Sequence, residues 1–173
     1  MSRCYALGLS AIAALGLALL SNGAGAQQKT LREQLVGSWT MVSIDMTLSD
    51  GTKRQLFGPD PKGIAIYTTE GTFALIQMRA DLPKLASSNR ATATPDEAKA
   101  ITAGSIAYFG RYSVDEASKI VTVDLQGSTF PNQVGSTSDN KRIVSSLTAS
   151  ELKFTNPASA SGATIEVVLK RAN

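Results

Sequence analysis

The chain has 173 residues and a formal net charge of +3, with 17 Lys and Arg against 14 Asp and Glu, one cysteine and no histidine. Because histidine is absent and Cys4 lies in an N-terminal leader, zinc sites built on Cys or His and nucleophilic Cys–His or Ser–His–Asp systems are excluded. The basic residues are scattered rather than clustered in a phosphate-binding stripe, so we expect no nucleic-acid partner. We also expect no metal and no cofactor.

The N-terminus is typical of a secretory signal peptide. Arg3 precedes an apolar run at residues 7–20, and the small residues 24–26 form a signal peptidase site. The sequence therefore predicts a signal peptide over residues 1–26 and a mature protein that is periplasmic or secreted and monomeric. An uncleaved anchor is the alternative, but it would need about 20 apolar residues, so no stable membrane anchor is expected.

Residues 27–173 are predicted to form one all-β domain. A helical turn at 31–36 leads into the first of eight strands, which are indicated by two-residue alternation of apolar side chains and by turn residues. A further short helix begins after Thr94 and stops at Gly104, between the third and fourth strands. The predicted strands span 38–46, 63–69, 72–79, 106–114, 119–126, 138–147, 150–155 and 164–171.

The connections between these strands alternate between long and tight. In an antiparallel up-and-down barrel, successive connections lie at opposite ends, so one end would be closed by tight turns and the other would carry the long loops. Eight strands enclose a space large enough for side chains or one small ligand. The pattern predicts an eight-stranded antiparallel up-and-down barrel with a cavity; an antiparallel sandwich is the alternative.

Trp39 and Arg171 are predicted to close the barrel. The first strand begins and the last strand ends at the tight-turn end, where a guanidinium can stack on an indole ring. A Gly-x-Trp on the first strand with an arginine on the last is the hallmark of lipocalins, and here it reads Gly37-Ser38-Trp39.

Five segments carry a more specific resemblance: Leu35–Trp39, Asp50–Thr52, Pro61–Tyr67, Tyr108–Glu116 and Gly127–Asn132. In these segments the chain resembles the lipocalin-like domain family of bacteria and fungi. The resemblance implies a calycin-type barrel and does not identify a substrate. The chain departs from the family where relatives tend to carry a histidine, here Val123-Asp124, so it does not support an activity that needs that histidine.

Several polar and aromatic residues are candidates for ligand binding within the barrel or at its mouth. An inward Arg111 would need a carboxylate, for which Asp124 is the candidate, or an anionic ligand group. The alternative for each arginine, including Arg79, is an outward position. The aromatic Phe130 on a mouth loop is either a lid or a plug. The predicted ligand-binding residues are Arg111, Tyr108, Tyr112, Arg142, Phe130 and Asn132.

Two functions remain open at this point. The first is an exported protein that binds a small hydrophobic or amphiphilic molecule in the cavity. The alternative is a cavity enzyme of the isomerase or cyclase type, with Asp45 or Asp124 as acid or base and a tyrosine as proton donor.

Overall fold

A computed structural model describes residues 28–159 and 162–173. The predicted signal peptide at residues 1–26 lies outside the described residues. Within those residues, no helix is both long enough and apolar enough to span a membrane.

The described residues form nine strands and two α-helices. The helices are α1 (Leu31–Leu35) and α2 (Pro95–Gly104). The strands are β1 (Gly37–Thr47), β2 (Lys53–Gln55), β3 (Lys62–Tyr67), β4 (Thr72–Met78), β5 (Ser105–Asp115), β6 (Ile120–Ser128), β7 (Lys141–Leu147), β8 (Glu151–Asn156) and β9 (Thr164–Arg171). Two 3₁₀ turns lie at Arg90–Thr92 and Pro131–Gln133.

Eight of the strands close into an antiparallel barrel, as the sequence predicted. From β3 to β9 each strand pairs with the next, and β1 closes the sheet by pairing with both β3 and β9. A bulge between Met41 and Ser43 bends β1, since an extra residue there breaks its ladder with β9. Because the sheet closes on itself, the sandwich alternative is wrong.

The largest differences from the predicted strands are one strand that was not predicted, β2, and a later start of β7. The short strand β2 pairs with the far end of β1, and its three exposed residues lack the alternation that marks a strand in sequence. Strand β7 begins at Lys141 rather than at 138, because β6 pairs with β7 only through Ile120 to Thr122. The residues just before β7 therefore leave the sheet and enter the mouth of the barrel.

Local sequence explains the two helices. Each begins with a capping box, Thr30 with Glu33 in α1 and Thr94 with Glu97 in α2, so that backbone N–H groups at the N-terminus are satisfied. The Glu116 carboxylate also accepts hydrogen bonds from the first two N–H groups of α1, at 2.7 and 3.0 Å. These bonds hold α1 against the tight-turn end of the barrel.

Alternate residues of each strand point into the barrel and form the core. The largest fully buried side chains include Trp39, Leu35, Ile44, Leu152 and Leu169. Four aromatic rings, those of Tyr67, Phe73, Tyr108 and Tyr112, pack together on the β3–β4–β5 wall, with neighbouring centroids 5.2 to 6.1 Å apart. Side chains thus fill the tight-turn end and leave space toward the long loops.

Candidate ligand-binding cavity

The tight-turn end of the barrel is closed by Trp39 and Arg171. The indole is fully buried and donates its Nε1–H to the Leu35 carbonyl at 2.8 Å. The Arg171 guanidinium lies 4.0 Å from the centre of the indole ring. It also donates to the backbone carbonyls of Gln34, Val36 and Ala149 at 2.6, 3.0 and 2.8 Å. This geometry agrees with the stacked pair predicted from the sequence.

The opposite end opens into a cavity of about 840 Å³. That volume lies within the range of pockets that hold small molecules, about 300–1,000 Å³. Its apolar wall comes from the strands, from α2 and from the mouth loops: Met46, Leu56, Phe57, Leu75, Ile101, Ile106, Tyr108, Phe130, Phe154, Ile165 and Val167.

A cluster of buried polar side chains occupies part of the wall. Asp139 is 4% exposed, and its carboxylate accepts hydrogen bonds from the side-chain amides of Asn156 and Gln133, the latter at 2.9 Å. Arg142 is 5% exposed, and its Nη1 lies 3.6 Å from the Asp139 carboxylate. The same Nη1 donates to the carbonyls of Asp139 and Lys141, both at 3.0 Å. The cluster is thus a compensated ion pair held inside the barrel.

Three buried side chains in this wall carry polar groups that have no hydrogen-bond partner among the described residues. No hydrogen bond within the described residues uses Nε or Nη2 of Arg142, the side-chain amide of Gln77 or the hydroxyl of Tyr108. Among the described residues, Oδ1 of Asn140 is the one fully enclosed side-chain polar atom without a hydrogen-bond partner. The unpaired groups of Arg142, Gln77 and Tyr108 are therefore not fully enclosed by protein, and all three side chains line the cavity.

The electrostatics of Tyr67 link this wall to the base of the barrel. Burial raises the pKa of the Tyr67 phenol well above its usual value, and the Tyr108 phenol raises it further. The Arg142 guanidinium acts in the opposite direction and lowers this pKa. Tyr67 therefore stays protonated and neutral at physiological pH.

The sequence model of a protein family, described as the lipocalin-like domain, matches residues 36–170. The chain belongs to this family. No curated protein shows a significant match to the chain.

Three solved structures are similar to this lipocalin-like domain at low sequence identity. The redesigned β-barrel mFAP1, bound to DFHBI, is 14% identical, with 83% of this chain and all of that chain covered and a TM-score of 0.41. A de novo designed fluorescence-activating β-barrel is 10% identical, with 83% and 99% covered and a TM-score of 0.41. Bovine odorant-binding protein, in complex with its natural ligand, is 14% identical, with 84% and 76% covered and a TM-score of 0.40.

The predicted inward position of Arg111 is wrong for this lipocalin-like domain. Its side chain is exposed on the outer face of β5, where Nη2 donates to the Glu70 carbonyl at 3.2 Å. On β5 the buried face holds Tyr108, Gly110 and Tyr112, and strand alternation turns Arg111 away from them. Gly110 fits this face because a β-carbon there would overlap the backbone carbonyl of Asp124 on β6.

Both candidate catalytic carboxylates also lie outside the barrel. Asp124 is exposed on β6, opposite Arg111 in the ladder, and so it does not act as an internal partner for that arginine. Asp45 lies between the inward residues Ile44 and Met46 of β1, which places it on the outer face beside Gln55 and Glu166. The positions predicted for an acid or base in the cavity are therefore wrong.

The remaining predicted residues divide between the cavity and other sites. Tyr108, Arg142 and Phe130 line the cavity, with Phe130 43% exposed at its mouth. Tyr112 is buried at the base, where its hydroxyl donates to the Thr68 carbonyl at 2.7 Å, and it does not line the cavity. Asn132 is exposed on the 3₁₀ turn and also lies off the cavity wall.

Sequence reasoning missed Gln77, Gln133, Asp139 and Asn156. Gln77 and Asn156 were detectable, because each lies at a strand position whose alternate neighbours, Leu75 and Phe154, are apolar. A polar residue on an inward face is an informative exception to the pattern. Gln133 and Asp139 lie on the connection between β6 and β7, where no periodicity indicates which side chains turn inward.

Proposed function

We propose that this protein is an exported small-molecule-binding protein that holds a hydrophobic or amphiphilic ligand in the barrel cavity. In this proposal the signal peptide directs it to the periplasm or the exterior, where it acts as a monomer without a membrane anchor. The expectation of export rests on the pattern of residues 1–26.

The observation that carries the binding proposal is the cavity of about 840 Å³ at the loop end of the barrel. A core that served stability alone would be filled by side chains, since protein interiors are close-packed. Here the apolar wall offers burial to a ligand tail, and the buried polar groups of Arg142, Gln77 and Tyr108 offer it hydrogen bonds. Apolar walls with a few placed polar groups are typical of small-molecule sites.

The enzyme alternative has less support because Asp45 and Asp124 lie on the outer face. The carboxylate that does lie in the cavity wall, Asp139, is held by the Asn156 and Gln133 amides. Both oxygens of that carboxylate thus already accept hydrogen bonds from the protein.

Binding can be tested with a matched pair of variants on β9. Val167 lines the cavity, whereas its neighbour Val168 lies on the outer face. We expect Val167→Phe to weaken binding of the neutral fluorescent probe N-phenyl-1-naphthylamine about tenfold or more by filling the site. Val168→Phe should leave it unchanged. Circular dichroism would establish that both variants are folded.

Equal binding by wild type and both variants would show that the probe sits elsewhere and would contradict the proposal. The natural ligand class would come from native mass spectrometry of protein purified from the periplasm or culture medium. A bound small molecule that is absent from Val167→Phe, but present in Val168→Phe, would support the proposed function.

A further inference from the structure

We propose that the cavity selects ligands carrying a neutral hydrogen-bond acceptor, such as a ketone or ester carbonyl, over ligands carrying a carboxylate. This inference rests on the proposed binding function. It concerns the chemical class of the ligand, which is set by the charge balance of the buried wall.

The donors that would recognise the acceptor belong to Arg142. Nη1 is occupied by two backbone carbonyls and the Asp139 carboxylate. Within residues 28–159 and 162–173, nothing accepts a hydrogen bond from Nε or Nη2, although the side chain is only 6% exposed and lines the cavity. A buried guanidinium with open N–H groups is stabilised by any acceptor that the ligand brings. The ligand oxygen would thus pair with N–H groups of Arg142 that the described part of the chain leaves open.

The charge of Arg142 is already compensated by Asp139. The two side chains are 6% and 3% exposed, and they lie 3.6 Å apart. An ionised ligand carboxylate would add a second negative charge beside Asp139, and burial disfavours a charge that lacks its own partner. A carbonyl group brings no net charge, so it gains charge-assisted hydrogen bonds without that penalty.

Other groups in the wall fit a neutral ligand as well. Gln77 and Tyr108 are uncharged, each 8% exposed, and each can donate and accept a hydrogen bond. Arg90 also lines the cavity, but it is exposed at the mouth, where water and salt screen its charge. The buried part of the wall therefore carries a few polar groups but little net charge.

Three probes of equal chain length test the inference: methyl decyl ketone, dodecanoate and dodecane. Each would be titrated against bound N-phenyl-1-naphthylamine at about pH 8, where a carboxyl with a pKa of ~4.3 is ionised. Since a hydrogen bond to a charged donor is a strong one, we expect the ketone to bind about tenfold or more tighter than dodecane. We expect it to bind tighter than dodecanoate as well.

The variant Asp139→Asn tests the charge balance directly. It removes the compensating charge and leaves Arg142 as an unpaired cation, so dodecanoate affinity should rise about tenfold or more relative to wild type. The ketone should change by less than about threefold, because its hydrogen bonds to Arg142 remain. If this variant does not fold, the ratio of ketone to dodecanoate affinity in the wild type decides the question.

The outcomes separate the inference from the function on which it rests. If dodecanoate binds the wild type as tightly as the ketone does, or if ketone and dodecane bind equally, the inference is overturned while ligand binding stands. An unchanged preference in folded Asp139→Asn would also overturn it. If neither the fluorescent probe nor any of the three compounds binds, the proposed function is overturned together with the inference.

Discussion

Replacing Arg171 by methionine should destabilise the protein by about 4 kcal/mol through the loss of hydrogen bonds and a cation–π contact. Methionine replaces the aliphatic stem of the arginine with an unbranched apolar side chain, and the guanidinium is removed. It thus tests whether the contacts at the base of the barrel contribute to stability, or whether Trp39 would pack equally well beneath any long side chain.

The magnitude follows from the contacts that are lost. Two part-buried hydrogen bonds, to Gln34 and Val36 at 2.6 and 3.0 Å, each contribute about 1.5 kcal/mol, the low end for a charged donor. The bond to Ala149 is exposed and is replaced by water. The guanidinium 4.0 Å above the indole contributes about 1 kcal/mol more. Because these bonds connect α1 and the β7–β8 turn to β9, their loss also loosens the closed end.

The assay is urea unfolding followed by circular dichroism, with Lys170→Met as the matched control. Lys170 is the preceding residue on β9, and it is exposed. We expect the control to change the free energy of unfolding by less than about 0.5 kcal/mol, as is usual for surface substitutions. Arg171→Lys should fall between the two, since it keeps the charge and loses the planar fork. A loss below about 1 kcal/mol in Arg171→Met, or an equal loss in Lys170→Met, would refute the reasoning.

Two further predictions concern buried aromatic residues. Unfolded tyrosine ionises near pH ~10, whereas folded Tyr67 keeps its proton, so the protein should lose up to about 1.4 kcal/mol of stability per pH unit above that value because of this residue. Tyr67→Phe should show a shallower loss in urea titrations at alkaline pH, and parallel curves for variant and wild type would contradict the assignment. Trp39 is the only tryptophan and is 0% exposed, so iodide should quench its fluorescence weakly in the folded protein and strongly in urea. Strong quenching without urea would contradict its burial.

The architecture was predictable because it depends on local patterns. Two-residue alternation and turn residues located eight strands. The order of long and tight connections distinguished the closed end of the barrel from its open mouth. Trp39 and Arg171 followed from topology, since the first and last strands of a closed barrel are neighbours. The three residues of β2 were missed because exposed polar residues pair there through the backbone, which leaves no side-chain pattern.

The cavity wall was harder to predict because strand alternation does not by itself say which face points inward. On β5 it separates Tyr108 and Tyr112 from Arg111, but the choice of face depends on packing against β4 and β6. The aromatic rings of Tyr67 and Phe73 on the same wall decide it, since they pack against Tyr112 and Tyr108. On β7, strand alternation places Arg142 on the same inward face as the buried Val144. Asp139 from the preceding loop compensates the charge of Arg142 there.

The two arginines at opposite ends of the barrel are thus expected to differ in their role. Arg171 places all three of its nitrogens on backbone carbonyls and its plane on an indole, so its guanidinium is held by the protein and contributes to stability. Arg142 uses one nitrogen for the protein and turns the others toward the cavity. Within the described residues no protein group accepts from those other nitrogens, so their partner has to come from the cavity. A bound acceptor would pair with these nitrogens, which makes the buried Arg142 a feature of recognition rather than of folding.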